Sequence, residues 1–267
     1  MKIIVQKYGG TSVGSIEKIK QIATNIKKLK KLQIVVVVSA MAGETDRLVS
    51  LINSLSKIPN EREYDQIIST GERVSAGLLA LALQRINVKS ITLDPFKLNL
   101  LTDNLHSKAS IISVDIKEIK KNLKSNHIVI IPGFQGINSD NEITTLGRGG
   151  SDLSAVAIAG ALKADRCELL KDDVDGVYTT DPRLYNRAKK IDYISYQEML
   201  EMSSLGSKVL QAKAVELANQ LNIKLYVKST FENKKKGTWV MNENNIPLNK
   251  KKVVSGLTHD LKQSKIS

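Results

Sequence analysis

Apolar runs rich in β-branched residues recur along the chain at residues 3–5, 34–38, 91–93, 128–131, 168–170 and 224–227, with helical patterns between them. Continuous rather than alternating hydrophobicity marks strands covered on both faces. It predicts an α/β fold, a three-layer αβα sandwich around a mainly parallel central sheet. In the first helical pattern Ile16, Ile19, Ile22, Ala23, Ile26 and Leu29 form one apolar stripe opposite a face of lysines, as in an outer-layer helix. Residues 151–162 are instead small and apolar almost all round, so that helix is expected to be deeply packed, its N-terminus pointing into a site. Ser195-x-x-Glu198 is a capping box that opens another helix, and a further helix is expected over residues 207–221.

Composition narrows this picture in two ways. The 267 residues, 42% of them hydrophobic, suffice for one large α/β domain or two modest ones and exclude global disorder. A single cysteine, Cys167, rules out an internal disulfide framework, and no leader-like or long uncharged apolar stretch occurs, so a reducing, cytoplasmic setting and no membrane insertion are expected. The net charge of +13 raises nucleic-acid binding, but the lysines are scattered over helix faces and turns and only 4% of residues are aromatic. A solvated lysine surface that attracts anionic substrates is the better reading, with no nucleic-acid partner. His106, His127 and His259 do not cluster and are given no catalytic role, and Cys167 reads as a buried structural thiol.

Four polar elements interrupt the apolar pattern. Directly after the first strand the chain reads Lys7-Tyr8-Gly9-Gly10-Thr11-Ser12-Val13-Gly14. Adjacent glycines let backbone N–H groups approach an anion at a helix N-terminus, and Lys7 adds a full positive charge. The spacing is neither a Walker A loop nor a dinucleotide fingerprint. Gly147-Arg148-Gly149-Gly150-Ser151-Asp152 repeats the logic at the start of the buried helix, where Arg148 offers a planar fork for a carboxylate and Asp152 can orient a cation. Ser69-Thr70-Gly71-Glu72-Arg73 places a carboxylate directly after a glycine, and Ser39-Ala40-Met41, with Thr45 beyond, lies at the carboxyl end of a parallel strand, where open α/β sheets bind ligands. The fourth element, residues 172–183, holds Asp172, Asp173, Asp175, Tyr178 and Arg183 and lacks the spacing of a calcium loop; a nucleotide-clasping loop fits it better.

These elements, with Pro132-Gly133-Phe134-Gln135-Gly136 and residues 204–210, stand in the order and approximate spacing of the aspartokinases, and the chain resembles the catalytic domain of that branch of the amino-acid kinase family over nearly its whole length. The combination of Lys7 to Ser12, Thr70-Gly71-Glu72 and Thr179-Thr180-Asp181-Pro182-Arg183 sets it apart from acetylglutamate, glutamate, carbamate and UMP kinases. The resemblance implies transfer of the ATP γ-phosphoryl group to the β-carboxylate of L-aspartate, giving 4-phospho-L-aspartate. That is the first step toward lysine, threonine and methionine, with Mg²⁺ bound along with the nucleotide and no separate protein-held metal. It implies that Lys7 and Asp152 are catalytic, Asp152 holding Lys7 in place. ATP would be bound by Lys7, Tyr8, Gly9, Gly10, Ser39, Asp173, Tyr178, Arg183 and Lys208. Aspartate would be bound by Thr45, Glu72, Arg148, Gly149, Gly150 and Ser151, with Glu72 on its ammonium and Arg148 on its α-carboxylate.

Two departures from the family pattern change expectations. Lys171-Asp172-Asp173 carries one residue more than is usual before Val174-Asp175-Gly176, so the local nucleotide contacts are open, as is a catalytically impaired nucleotide-binding subunit or a kinase for another acidic acceptor or a nucleoside monophosphate. The catalytic domain is expected over residues 1–250, and residues 251–267 resemble the beginning of the regulatory region that most relatives carry. A naturally short or a truncated enzyme without end-product feedback is therefore expected, and a homodimer and a monomer both stay open.

Overall fold

The computed structural model describes residues 1–29, 31–207, 209–232, 235–250 and 256. The first half of the chain forms β1 (Lys2–Tyr8), α1 (Ile16–Lys27), β2 (Leu32–Val38), α2 (Glu44–Leu55), α3 (Glu61–Ile68), α4 (Thr70–Arg85), β3 (Ser90–Thr92), α5 (Pro95–Leu98), β4 (Leu100–Thr102), β5 (Ile111–Val114) and α6 (Lys117–Lys124). The second half forms β6 (Ile128–Pro132), β7 (Gln135–Ile137), β8 (Ile143–Thr145), α7 (Gly150–Leu162), β9 (Arg166–Lys171), β10 (Tyr193–Ser195), α8 (Tyr196–Ser204), α9 (Ala212–Gln220), β11 (Leu225–Ser229) and β12 (Thr238–Met241). All six apolar runs are strands of one eight-stranded sheet, ordered β10-β12-β11-β9-β1-β2-β6-β3 and parallel throughout except at β11/β12.

Side-chain alternation assigns each strand residue to one of two helical layers. Val5, Val35, Val37, Val129, Ile131 and Leu169 pack in the core that includes Ala155, Val156, Ile158 and Ala159 of α7 and Ala214, Val215 and Ala218 of α9. Ile4, Tyr8, Ile34, Val36, Val38, Ile130 and Leu170 pack against Ile19, Ile22 and Ile26 of α1 and Leu79 and Leu83 of α4. Both cores are needed to bury β2, which explains why residues 34–38 contain no polar position. The expected three-layer αβα architecture is therefore observed, α7 is buried as its composition requires, and Ser195 and Glu198 form the capping box at α8.

A second sheet, ordered β5-β4-β7-β8, stands beyond the carboxyl end of β6. Asp65 of α3, fully buried, ties this sheet down by accepting the Thr145 N–H at 3.0 Å, the Thr145 hydroxyl at 2.6 Å and the Ser107 N–H at 2.9 Å, with His106 Nδ1 at 3.0 Å. His106 thus has a structural place. Cys167 is buried among apolar side chains, and burial pushes its thiol well up from the ordinary value.

The chain between α8 and α9 differs from expectation. Helix α9 begins at Ala212, not at residue 207. Gly206, at φ 118°, turns the backbone after α8, and Gln211 is extended at φ −82°, ψ 131°, while Leu210 is buried in the core. Burial of that single leucine from a non-helical segment mimics a helical apolar position in sequence. Lys208 lies outside the described residues, as do residues 251–255 and 257–267 of the C-terminal segment. Among the described residues no helix is long and apolar enough to cross a membrane.

Candidate active site

β1 lies between β2 and β9 in the middle of the large sheet, and the loops leaving the carboxyl ends of β1, β2, β6 and β9 gather along one edge. Chain direction along the sheet diverges there, the position at which open α/β sheets bind ligands. On β1, Lys7 follows Val5 by two residues and so points into the α7 layer instead of the α1 layer. It meets Asp152, in the first turn of α7, at 2.7 Å from Nζ to Oδ1. The two side chains are only 8% and 5% exposed, so this is a buried ion pair. The other oxygen of Asp152 is 3.2 Å from the Nζ of Lys171, at the end of β9. Burial alone would raise the Asp152 carboxyl; Lys7 and Lys171 together outweigh it and hold the group well below the usual carboxylate range. The Lys7 ammonium is depressed by burial, a shift that Asp152 opposes and Lys171 reinforces.

The glycine loop sits above this pair, and the Lys7 Nζ is 3.7 Å from where a side chain on Gly9 would begin. A Cβ on Gly10 would stand 2.8 Å from the Ala40 carbonyl, and the Ala42 N–H donates to the Gly10 carbonyl at 3.1 Å. Only glycine allows the first loop to lie this close to the loop after β2. The loop is a turn in its own right, the Gly9 carbonyl accepting from the N–H groups of Ser12 and Val13 at 3.0 and 3.2 Å. Helix α1 starts later, at Ile16, with its N-terminus already capped by the Ser15 hydroxyl. The glycines are therefore presented by a turn, not by the N-terminus of α1 as the sequence suggests. Helices α2 and α7 are different: both begin on a left-handed glycine, Gly43 at φ 81° and Gly149 at φ 79°, and neither carries a side-chain cap. Their positive ends stay available at the same edge.

Glu72, in the first turn of α4, is 4% exposed. One carboxylate oxygen accepts the Ala40 N–H at 3.0 Å, and the other is buried without a hydrogen-bond partner. Burial pushes the group up to about 7, against the opposing pull of Ala40 N–H and Lys7. A buried carboxylate with half its capacity unused is costly unless a ligand cation completes it.

The structure thus brings Lys7, Gly9, Gly10, Ser39, Thr45, Glu72, Gly149, Gly150, Ser151 and Asp152 to one edge of the sheet, on the strand ends and first helical turns that flank it. Arg148 is exposed on the turn that leads into α7. Tyr8 contributes backbone only, since its ring is buried in the α1 layer and its hydroxyl donates to Gln6 at 3.2 Å. In the fourth element the side chains pair locally. Arg183, exposed, is held by Asp181 at 3.0 and 2.8 Å, the Tyr178 hydroxyl donates to the buried Asp175 at 2.7 Å, and Asp173 is exposed. Asp172 pairs with Lys18 at 2.6 Å, and that lysine also donates to the Thr11 carbonyl at 3.0 Å. The Asp172 carboxylate is in this way turned onto α1. Sequence reading missed Lys171 and Lys18; strand alternation from Leu169 was the signal that would have placed Lys171 beside Asp152.

Fold and site together define a three-layer α/β protein with a lysine, a carboxylate and paired glycine turns gathered at one edge of its central sheet. A sequence model described as the amino acid kinase family matches residues 2–229, and the chain belongs to that family. It is similar to an aspartokinase of Pseudomonas aeruginosa, 45% identical over 269 residues that take in all of this chain and 65% of the relative. Among solved structures, an aspartate kinase from Synechocystis is 43% identical with a TM-score of 0.80, matching 90% of this chain and 40% of its own. Aspartokinase III of E. coli in complex with aspartate and ADP is 28% identical with a TM-score of 0.79, matching 90% of this chain and 65% of its own. The chain spans about two thirds of the length of the curated relative.

Proposed function

We propose that this chain transfers the γ-phosphoryl group of ATP to the β-carboxylate of L-aspartate. The observation that carries the reading is the half-used, buried Glu72 carboxylate set at the same edge as the buried Lys7–Asp152 pair: an ammonium acceptor beside a phosphoryl-binding cation. The similarity to aspartokinases, one of them solved with aspartate and ADP, supports it. The nucleophile, a carboxylate, is already ionised at pH 7, so no strong base is required. The task is to bring two anions together in line and to neutralise the charge that builds between them. In this reading Lys7 lies against the transferring group and Asp152 positions it. Gly9 and Gly10 cradle phosphate oxygens, with Tyr8 contributing its backbone, and Ser39, Asp173, Tyr178, Arg183 and Lys208 serve the rest of the nucleotide. Glu72 takes the aspartate ammonium and Arg148 its α-carboxylate, with Thr45, Gly149, Gly150 and Ser151 enclosing the substrate. Mg²⁺ is assigned to the nucleotide phosphates, where it would neutralise charge.

ADP release with Mg²⁺ and ATP, compared across L-aspartate, L-glutamate, N-acetyl-L-glutamate and UMP, tests the reading. Release that depends on L-aspartate is the expected result; equal or greater release with another acceptor would overturn it.

The state of Glu72 makes a second prediction. With its pKa raised to about 7, about half of the free chains carry a proton on Glu72 at pH 7, and pairing with the substrate ammonium drives that proton off. Calorimetry of aspartate binding in buffers of different ionisation enthalpy should show release of about half a proton at pH 7, rising toward one as pH falls to about 5.5 and vanishing near pH 8.5. The aspartate KM should rise below pH 7. Binding with no proton release at pH 6 would remove Glu72 from the ammonium site.

A further inference from the structure

We propose that Lys171 is a second positioning residue for the transferred phosphoryl group, acting through Asp152; the proposal rests on the phosphotransferase reading above. Lys171 ends β9, two residues beyond Leu169, which is paired with Lys7 across β1/β9. Strand alternation puts Lys171 on the Lys7 side of the sheet, and Asp172, the first residue past the strand, turns to the other. The contacts follow that rule: Lys171 Nζ is 3.2 Å from Asp152 Oδ2, and Asp172 reaches Lys18 of α1 at 2.6 Å. The last residue of the strand and the one after it thus carry one charge facing in and one facing out.

The inward charge alters the balance of the site. Two lysines, with side chains 8% and 17% exposed, share one carboxylate that is 5% exposed, and among the described residues Asp152 is the one carboxylate in ion-pair contact with either. One positive charge is left without a counter-ion in a poorly solvated place, which favours an added anion. Lys171 also holds the second oxygen of Asp152, so the carboxylate is fixed at both ends and Lys7 is presented in one position. During transfer the bond from phosphorus to the β,γ-bridging oxygen breaks and its electron pair leaves with ADP, while an oxygen of the acceptor carboxylate forms the new bond. No proton moves. Lys171 contributes by keeping Lys7 and Asp152 in register with that line and by adding field where three phosphate oxygens carry the charge.

The test uses Lys171→Met and Lys171→Arg in the full chain, with circular dichroism to check folding. Lys171→Met is expected to lower kcat about 10²-fold with the aspartate KM within about twofold, and to weaken ATP about tenfold while ADP is little affected. The alkaline limb of kcat/KM for ATP should move to higher pH, because Lys171 depresses the Lys7 ammonium and its removal relieves that. Lys171→Arg should restore most of the rate and the preference for ATP over ADP. In the unsubstituted chain, ATP should protect Lys171 from acylation by a lysine-reactive ester and adenosine should not, a readout that needs no variant to fold. A Lys171→Met chain with the parent's kcat and parent's ratio of ATP to ADP affinity overturns the proposal, as does equal labelling of Lys171 with ATP and with adenosine. If the unsubstituted chain binds ATP but releases no ADP with aspartate, the functional reading fails, and the affinity ratio and the labelling still decide the role of Lys171.

Discussion

Replacement of Lys7 by alanine should leave a folded chain whose aspartate-dependent turnover is lower by on the order of 10²–10³-fold. In the proposed reaction Lys7 is the cation at the meeting point of two anions; it is held on a central strand and turned by alternation toward the first turn of α7. Its removal takes away charge where charge develops in the transition state, and no other described group lies against Gly9 in the same way. The fold should survive because Asp152 keeps Lys171 at 3.2 Å, so no buried carboxylate is stranded. The check is kcat for ADP release beside a thermal melt. A melt close to the parent's together with a loss of two or more decades in rate is the expected pair of results, and an undiminished rate would remove Lys7 from the reaction.

Asp152→Asn should do the reverse, damaging stability as well as rate. The substitution keeps the shape of the side chain but leaves two poorly solvated ammonium groups, one buried and one half-buried, without the anion between them. Breaking a buried pair by removing one partner costs about 3–5 kcal/mol, which for a chain of this size lowers Tm by on the order of 10 °C. The loss should be partly recovered by inorganic pyrophosphate or by ATP without Mg²⁺, since either supplies anionic oxygen where the carboxylate was. Differential scanning calorimetry with and without pyrophosphate measures both effects. An Asp152→Asn chain that melts with the parent, and gains nothing from pyrophosphate, would mean that the lysines are not electrostatically dependent on Asp152.

The parts of this account that were legible in sequence are those set by local pattern. Residues 34–38, apolar without interruption, require a strand covered on both faces, and β2 is that strand. The all-round apolar segment around Ala155 to Ala159 had to be buried, and with it the position of Asp152 followed. Lys7 was legible because it stands between an apolar strand and two glycines. Less legible were features that depend on which face a residue takes or on contacts between distant segments. Nothing local marks Asp65, whose partners Ser107 and Thr145 lie 42 and 80 residues away. Glu168 reads as part of an apolar run, yet it is a buried carboxylate. Gln6 at 2.8 Å, Arg166 and Lys228 hold it below its ordinary range although burial alone would raise it. Lys171 and Asp172 read in sequence as one ambiguous charged turn, and their contacts, Lys171 with Asp152 and Asp172 with Lys18, put them on opposite faces. The pairing of Arg183 with Asp181, two residues earlier on the same turn, was not legible either.

Lys7, Asp152 and Glu72 together form the site proposed to pass a phosphoryl group to a carboxylate. The product of such a transfer is an acyl phosphate, which hydroxylamine converts to a hydroxamate. The chain, incubated with L-aspartate, ATP and Mg²⁺ in hydroxylamine, should form aspartyl hydroxamate in amounts equal to the ADP released, with both products from Lys7→Ala lower by on the order of 10²–10³-fold. ADP released without hydroxamate, or hydroxamate formed equally by Lys7→Ala, would contradict that proposal.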